Sequence, residues 1–332
     1  MLDALRRPLA NLRLSVTDRC NLRCAYCMPE EDYVWLPSPD VLTFEEISAL
    51  VDRFVALGVR RVRLTGGEPL VRRDLHVLVR LLAAKGLDDL ALTTNGVLLA
   101  DQAEALREAG LHRVTVSLDT LRADRFARLT RRDQHAAVLA GIKAARFPGQ
   151  LKIDTVVMRG VNDDELNELT AFAREHSAEI RFIEYMDVGG ATKWSLRDVV
   201  TAREIAAKVG AVEAIGVRGS APAERFRLAN GQTIGIIGST TQPFCRSCDR
   251  SRLTADGQFF TCLYATRGVD LKTPLRSGAP ASELEALLRS TWERRSDRGA
   301  EERFALRESR GPMLSAAELR TKPHLEMHTR GG

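Results

Sequence analysis

Leu12-Arg13-Leu14-Ser15-Val16-Thr17-Asp18-Arg19-Cys20-Asn21-Leu22-Arg23-Cys24-Ala25-Tyr26-Cys27 is the stretch from which the rest of the chain can be read. Leu12 to Thr17 alternates apolar and polar side chains, which predicts a β-strand. The cysteines that follow, spaced C-x3-C-x2-C, form a loop at the C-terminal end of that strand, where active-site loops of β/α barrels gather. The spacing is too tight for paired zinc knuckles. Three thiolates also leave a four-iron cluster one protein ligand short. An open metal position of this kind is what catalysis requires. A three-cysteine zinc or redox loop is the plainer alternative.

Downstream, strand-like and helix-like segments alternate. Phe44–Leu57 has helical apolar spacing behind Thr43, with Glu46 placed for a capping box. Strands are expected at Arg60–Thr65, Leu90–Thr94, Arg113–Leu118, Lys152–Met158 and Glu179–Tyr185, with helices between them. Six β/α units over about residues 11–186 predict an α/β fold with a parallel sheet, an incomplete (β/α)6 TIM-type barrel in preference to an open doubly wound sheet. Past Val188 the pattern becomes irregular: a helix at Asp198–Val209, short strands at Arg225–Leu228 and Thr233–Ile237, a helix at Ser282–Arg295 and a polar end. Residues 1–187 are expected to form the partial barrel, and residues 188–332 a smaller C-terminal α+β module that closes its open side.

That module carries Cys245, Cys248 and Cys262, spaced C-x2-C-x13-C. Again only three ligands are offered, and no His lies between His176 and His324. Zinc would need Asp249 or a remote His as fourth ligand. A second cluster with its own open iron is the other reading. Arg250 and Arg252 follow directly, and guanidinium groups suit phosphate.

Composition bounds the rest. The chain has 332 residues, 44% hydrophobic and 28% charged, enough for a sizeable core. Six cysteines in two sets of three fit a disulfide scheme poorly and metal or redox chemistry well. Met1 to Leu12 holds Arg6 and Arg7 but no apolar run follows, so neither a secretory leader nor a membrane span is expected, and the cytoplasm is the expected location. The net charge of +5 suits an anionic substrate. Seven of the 49 basic residues are Lys, so most arginines reflect composition.

The first cysteine loop, together with Gly66-Gly67-Glu68-Pro69, Thr93-Thr94-Asn95-Gly96 and Ser117-Leu118-Asp119 at later strand ends, resembles the radical SAM superfamily. The second set, with its C-x2-C-x-R-x-R-L…C pattern, and the terminal Gly331-Gly332 resemble one subgroup, the GTP 3′,8-cyclases of molybdenum cofactor biosynthesis. Arg330 stands where that subgroup frequently has a hydrophobic residue.

The resemblance implies two 4Fe-4S clusters, on Cys20, Cys24 and Cys27 and on Cys245, Cys248 and Cys262, with S-adenosyl-L-methionine (SAM) on the first. It implies SAM contacts from Tyr26, Gly67, Glu68, Ser117 and Met186, and GTP contacts from Arg13, Arg63, Thr93, Lys152, Arg250, Ser251 and Arg252. Arg250, Arg252, Gly331 and Gly332 would serve catalysis, the tail entering the site with Arg330 near its mouth. The implied reaction takes the ribose 3′ hydrogen of GTP and joins C3′ to C8. Its product is (8S)-3′,8-cyclo-7,8-dihydroguanosine 5′-triphosphate. Implied partners are an electron donor protein and cyclic pyranopterin monophosphate synthase as the next enzyme, with no nucleic acid or membrane, and a monomer or homodimer. Rival readings are a radical SAM enzyme with an auxiliary cluster acting on RNA or a peptide, and a zinc-binding interaction protein.

Overall fold

The computed structural model describes residues 1–331. Strands β1 (Asn11–Ser15), β2 (Arg61–Thr65), β3 (Asp89–Thr94), β4 (Arg113–Ser117), β5 (Lys152–Val157) and β6 (Glu179–Glu184) pair in sequence order, all parallel. Helices α1 (Phe44–Ala56), α2 (Leu75–Ala83), α3 (Leu99–Glu108), α4 (Ala123–Thr130), α5 (His135–Ala144) and α6 (Leu166–Glu175) form the crossovers. The capping box expected at Thr43 and Glu46 is formed, and Ile47, Leu50, Val51 and Phe54 bury one face of α1.

The strands show why the sheet bends around a cavity. Leu12, Leu14, Val62, Leu64, Leu90, Leu92, Val114 and Val116 are buried in the main core. Their neighbours Arg13, Arg63, Thr93 and Ser117 line a cavity on the opposite face. A parallel sheet covered on both faces usually reads as a continuous apolar run. Here the period of two survives because one face looks onto a polar chamber.

The C-terminal segment builds onto both edges of this sheet. It contributes β7 (Ala211–Ala214), β8 (Glu224–Leu228), β9 (Thr233–Ile237), β10 (Arg250–Leu253), β11 (Gln258–Phe260) and β12 (Val269–Asp270). β9 runs parallel to β6 and β10 parallel to β1, while the outer pairs are antiparallel. The twelve strands form one sheet ordered β12-β11-β10-β1-β2-β3-β4-β5-β6-β9-β8-β7. Strand pairing therefore continues across Val188. β10 was not legible: Arg-Ser-Arg-Leu is short, and its alternate arginines hide the apolar signal.

The helix expected at Asp198–Val209 is a 3-10 turn at Leu196–Asp198 followed by α7 (Ala202–Lys208), started by a Thr201–Glu204 capping box. Later helices are α8 (Lys272–Arg276), α9 (Ala281–Glu293), α10 (Gly299–Ala305), α11 (Ala316–Thr321) and α12 (Met327–Arg330). Among the described residues no helix is long and apolar enough to cross a membrane.

Candidate active site

A cavity of about 550 Å³ lies on the concave face of the sheet, and all six cysteines line it. None is in a disulfide. Strands β1 to β6 and β10 each send side chains into the same space.

The first cysteine loop is held by backbone fit. Cys27 N and Met28 N donate to the Cys24 carbonyl at 3.0 and 2.7 Å, and Leu22 N donates to Cys20 Sγ at 3.4 Å. Gly67 N and Glu68 N, after β2, donate to the carbonyls of Thr17 and Arg19 at 2.9 and 2.8 Å. Gly66 has φ 143°, and a Cβ on Gly66 or Gly67 would overlap the carbonyls of Thr17 and Arg19. This close approach to the cysteine loop's backbone needs a chain without a Cβ.

Glu68 ties the loops together. Its Oε1 accepts from Leu70 N at 3.0 Å and Thr94 Oγ1 at 2.7 Å, and its Oε2 accepts from Asn95 N at 2.7 Å. Burial raises its carboxyl to about 7. Asn95 Nδ2 in turn donates to Asn21 Oδ1 at 2.7 Å. Tyr26 OH donates to Asp119 Oδ2 at 2.8 Å, and Asp119 Oδ1 accepts from Val156 N at 2.9 Å. Ser117 and Met186 line the same part of the protein as Gly67 and Glu68, around one cavity. Burial pushes the thiols of Cys24 and Cys27 up, and that of Cys20 to about 11. Such thiols stay protonated until a metal displaces the proton.

The second set lies across the cavity. Cys248 N donates to the Cys245 carbonyl at 3.2 Å, Arg250 Nη2 donates to Cys248 Sγ at 3.4 Å, and Tyr264 N donates to Cys262 Sγ at 3.4 Å. Burial works against the Cys248 thiolate, but Arg250 and Arg295 bring its thiol down to about 7. Asp249, the local candidate for a zinc ligand, directs Oδ2 to Asn11 Nδ2 and to Arg61 at 3.6 Å. Among the described residues no three His, Cys, Asp or Glu side chains are gathered for one metal ion. A cubane asks for something else, one thiolate on each of three irons. Three thiols per set, with N–H donors on the sulfurs of Cys20, Cys248 and Cys262, fit that demand.

Between the two sets runs a row of cations. Arg13 on β1 is in register with Arg252 on β10 and with Arg63 on β2. Arg63 Nη1 donates to Thr93 Oγ1 and Thr115 Oγ1 at 3.0 and 3.1 Å. Burial, then Arg252 and Arg250, lowers the affinity of Arg13 for its proton. Lys152 lines the cavity and also has a counter-ion in the protein: Nζ donates to Glu179 Oε1 at 2.9 Å. Ser251, also expected to face substrate, sends Oγ to the Asn11 carbonyl at 3.1 Å and sits within the β10–β1 pair. Arg181 and Asp154, which sequence reasoning missed, form a two-pronged pair at 2.6 and 2.7 Å and line the cavity. Their signal was the alternate, cavity-facing positions of β5 and β6.

The chain's end enters this chamber. α12 leads to Gly331 at φ 70°, where a Cβ would overlap Thr65 Oγ1. Arg252 Nη1 donates to the carbonyls of Arg330, at 3.2 Å, and Gly331. Arg330 is not near a mouth. It is buried over the Phe260 ring at 4.6 Å, with Nη1 donating to the Leu263 carbonyl at 2.6 Å. The aromatic face and the carbonyl accept a cation where a hydrophobic residue was expected. Gly332 lies outside the described residues.

Comparison with known proteins accords with this geometry. The family profile described as Radical SAM superfamily matches residues 14–173, and that described as Molybdenum Cofactor Synthesis C matches residues 178–301. GTP 3′,8-cyclase 1 of Mycobacterium tuberculosis is 54% identical over 341 residues, spanning 99% of this chain and 95% of that protein. This chain belongs to the GTP 3′,8-cyclase family. The GTP 3′,8-cyclase of Acidothermus cellulolyticus is 50% identical, spanning 90% of this chain and 87% of that protein. Among solved structures, Streptococcus suis SuiB bound to S-adenosylmethionine matches with a TM-score of 0.57 over 93% of this chain and 76% of that chain. At 16% identity that likeness concerns the fold, the radical SAM α/β fold, which the GTP 3′,8-cyclase family shares here.

Proposed function

We propose that this chain is a radical SAM GTP 3′,8-cyclase that converts GTP to (8S)-3′,8-cyclo-7,8-dihydroguanosine 5′-triphosphate, the first step of molybdenum cofactor biosynthesis. The observation that carries the reading is the register of Arg252, Arg13 and Arg63 between two three-thiol sets in one cavity. Cations in register create a positive field that suits an anionic ligand. A triphosphate is such an anion.

Cys20, Cys24 and Cys27 would hold one 4Fe-4S cluster and Cys245, Cys248 and Cys262 the other. When bound to the first cluster, SAM supplies a 5′-deoxyadenosyl radical. Tyr26, Gly67, Ser117 and Met186 surround its site, while Glu68 acts through the loops it joins. Arg13, Arg63, Arg250 and Arg252 hold the triphosphate, and Thr93 fixes the Arg63 guanidinium. Lys152, already paired, contributes to the cationic field more weakly. The thin tail fills the end of the chamber beside β1 and β2 and keeps water out. An electron donor protein completes the system, and free thiols with oxygen-sensitive clusters suit the cytoplasm.

The test is anaerobic turnover of reconstituted enzyme with GTP, SAM and a low-potential reductant, read by mass spectrometry. Cyclised product isomeric with GTP is expected, since the hydrogen atom that C3′ loses to the deoxyadenosyl radical is balanced by one electron from the reductant and one proton from solvent. Formation of 5′-deoxyadenosine with no GTP-derived isomer would remove GTP as the substrate.

A further inference from the structure

The first eight residues form a hook closed on one carboxylate. Asp3 Oδ1 accepts from Leu5 N and Arg7 N at 2.9 and 2.8 Å, and Asp3 Oδ2 accepts from Arg7 Nε at 2.5 Å. Asp3 N donates to the Arg7 carbonyl at 3.0 Å, and Arg6 takes φ 62° to make the turn. Asp3 and Arg7 are 5% and 2% exposed, so their ion pair is packed inside the protein, while Leu2 and Leu5 of the hook are exposed.

What the hook touches is the second cysteine set. Arg7 Nη1 donates to the Cys245 carbonyl at 3.0 Å and to the Asp297 carbonyl at 2.9 Å. Arg295, just beyond α9, stands 3.5 Å from Asp3 Oδ2 and donates through Nη1 to the Cys248 carbonyl at 2.9 Å. Asp297 accepts from Thr261 Oγ1, next to Cys262, at 2.9 Å. Each of the three cysteines thus has the Asp3–Arg7–Arg295–Asp297 network on its own backbone or on its neighbour's side chain. The Trp292 ring closes one side, with Arg295 stacked on it at 4.4 Å and its Nε1 donating to the Arg7 carbonyl at 3.2 Å.

We infer that Asp3, Arg7 and Arg295 are positioning residues for the second cluster, and that the N-terminal hook is part of that cluster's site. The inference rests on the reading of Cys245, Cys248 and Cys262 as cluster ligands. Two guanidinium groups against the cysteine carbonyls fix the direction of the thiols and place positive charge beside them. Outer partners of this kind hold ligands in place, and charge near a cluster sets its potential. A cation favours the reduced, more negative cluster, so its loss lowers the reduction potential.

The experiment uses the full chain carrying Cys20→Ala, Cys24→Ala and Cys27→Ala, so that all bound iron reports on the second set. About four irons per chain are expected after anaerobic reconstitution. No bound iron in this background would sink the reading of the second set itself, and with it this inference. Arg7→Met should lose iron to a chelator roughly tenfold faster, with Arg7→Lys restoring part of the retention. Arg295→Gln should keep the iron but show a lower midpoint potential in a titration followed by electron paramagnetic resonance. Arg53→Gln, which removes a half-exposed pair with Glu285 on α9, should move neither readout. If Arg7→Met does not fold, the Arg295→Gln midpoint decides. Unchanged iron release and an unchanged midpoint in the Arg7 and Arg295 variants would overturn the inference.

Discussion

Arg13 and Arg252 face one another in register on the neighbouring parallel strands β1 and β10, and both line the cavity. Burial, then Arg250 and Arg330, lowers the proton affinity of Arg252 to about 9, so this part of the cavity favours an anionic ligand. Arg13→Met should weaken GTP binding by roughly tenfold or more, the loss of one charge-assisted contact. Calorimetric titration with GTP and SAM checks this. Unchanged GTP affinity with weakened SAM affinity would place Arg13 on the wrong ligand.

Local spacing explains what could be read in advance. Cys20, Cys24 and Cys27 lie within eight residues, and Gly66-Gly67-Glu68 is a continuous run, so their chemistry survives translation into sequence. The strand alternation of Leu12 to Thr17 did too. What was hidden depends on distant partners. The cysteine motif pointed to Arg250 and Arg252, but the register of Arg252 with Arg13 exists only because β10 docks beside β1, some 240 residues away in the chain. Arg7 looked like part of a basic N-terminus, yet its partners are Cys245 and Asp297. Arg330 looked misplaced until Phe260 and the Leu263 carbonyl supplied its environment. The pairing of Lys152 with Glu179, opposite it on β6, could be seen only from the register.

Cys24→Ala addresses the independence of the two cysteine sets. The first set lies in the loop after β1, the second just before β10 and just after β11, and the two share no hydrogen bond among the described residues. The variant should retain roughly half of the wild-type iron and form no 5′-deoxyadenosine, since a metal site depends on its thiolates. Iron analysis and chromatography of the SAM products measure this. Continued 5′-deoxyadenosine production would show that the first loop is not the SAM cluster site.

Asp187, at the C-terminal end of β6, anchors the last third of the chain. Its Oδ2 accepts from Arg303 Nε at 2.7 Å and Arg310 Nε at 2.8 Å, and its Oδ1 accepts from Arg310 Nη2 at 2.6 Å. Burial opposes the carboxylate, but Arg310 and Arg303 prevail and hold its pKa below 3.8. With the folded value depressed, the stabilisation is complete above the unfolded value and is lost as pH falls through the folded one. Asp187→Asn should destabilise the protein by about 3–5 kcal/mol at neutral pH, because the buried Arg310 and the partly buried Arg303 lose their partner. The gap to wild type should narrow as pH drops below 3.8. Chemical denaturation at several pH values reads both effects, and a gap that widens in acid would contradict the assignment.

Gly331 tests the tail. Arg252 binds its carbonyl, its φ is 70°, and its Cα lies where a side chain would strike Thr65 Oγ1. Ser15 Oγ and Thr65 Oγ1, at the ends of β1 and β2, are buried without hydrogen-bond partners among the described residues. Buried hydroxyls left unpaired cost about 1–3 kcal/mol each, so the place where the tail arrives is set up to receive a polar group. Gly331→Ala meets both obstacles at once, a left-handed backbone and a clash. It should displace the tail and lower GTP cyclisation by about tenfold or more, while iron content and SAM binding stay at wild-type levels. Thr65→Ala, by removing the atom that Gly331→Ala would strike, should restore part of the rate in the double variant. The measurement is single-turnover product formation with saturating GTP and SAM. A Gly331→Ala enzyme as fast as wild type would mean that the tail's docking has no part in the reaction.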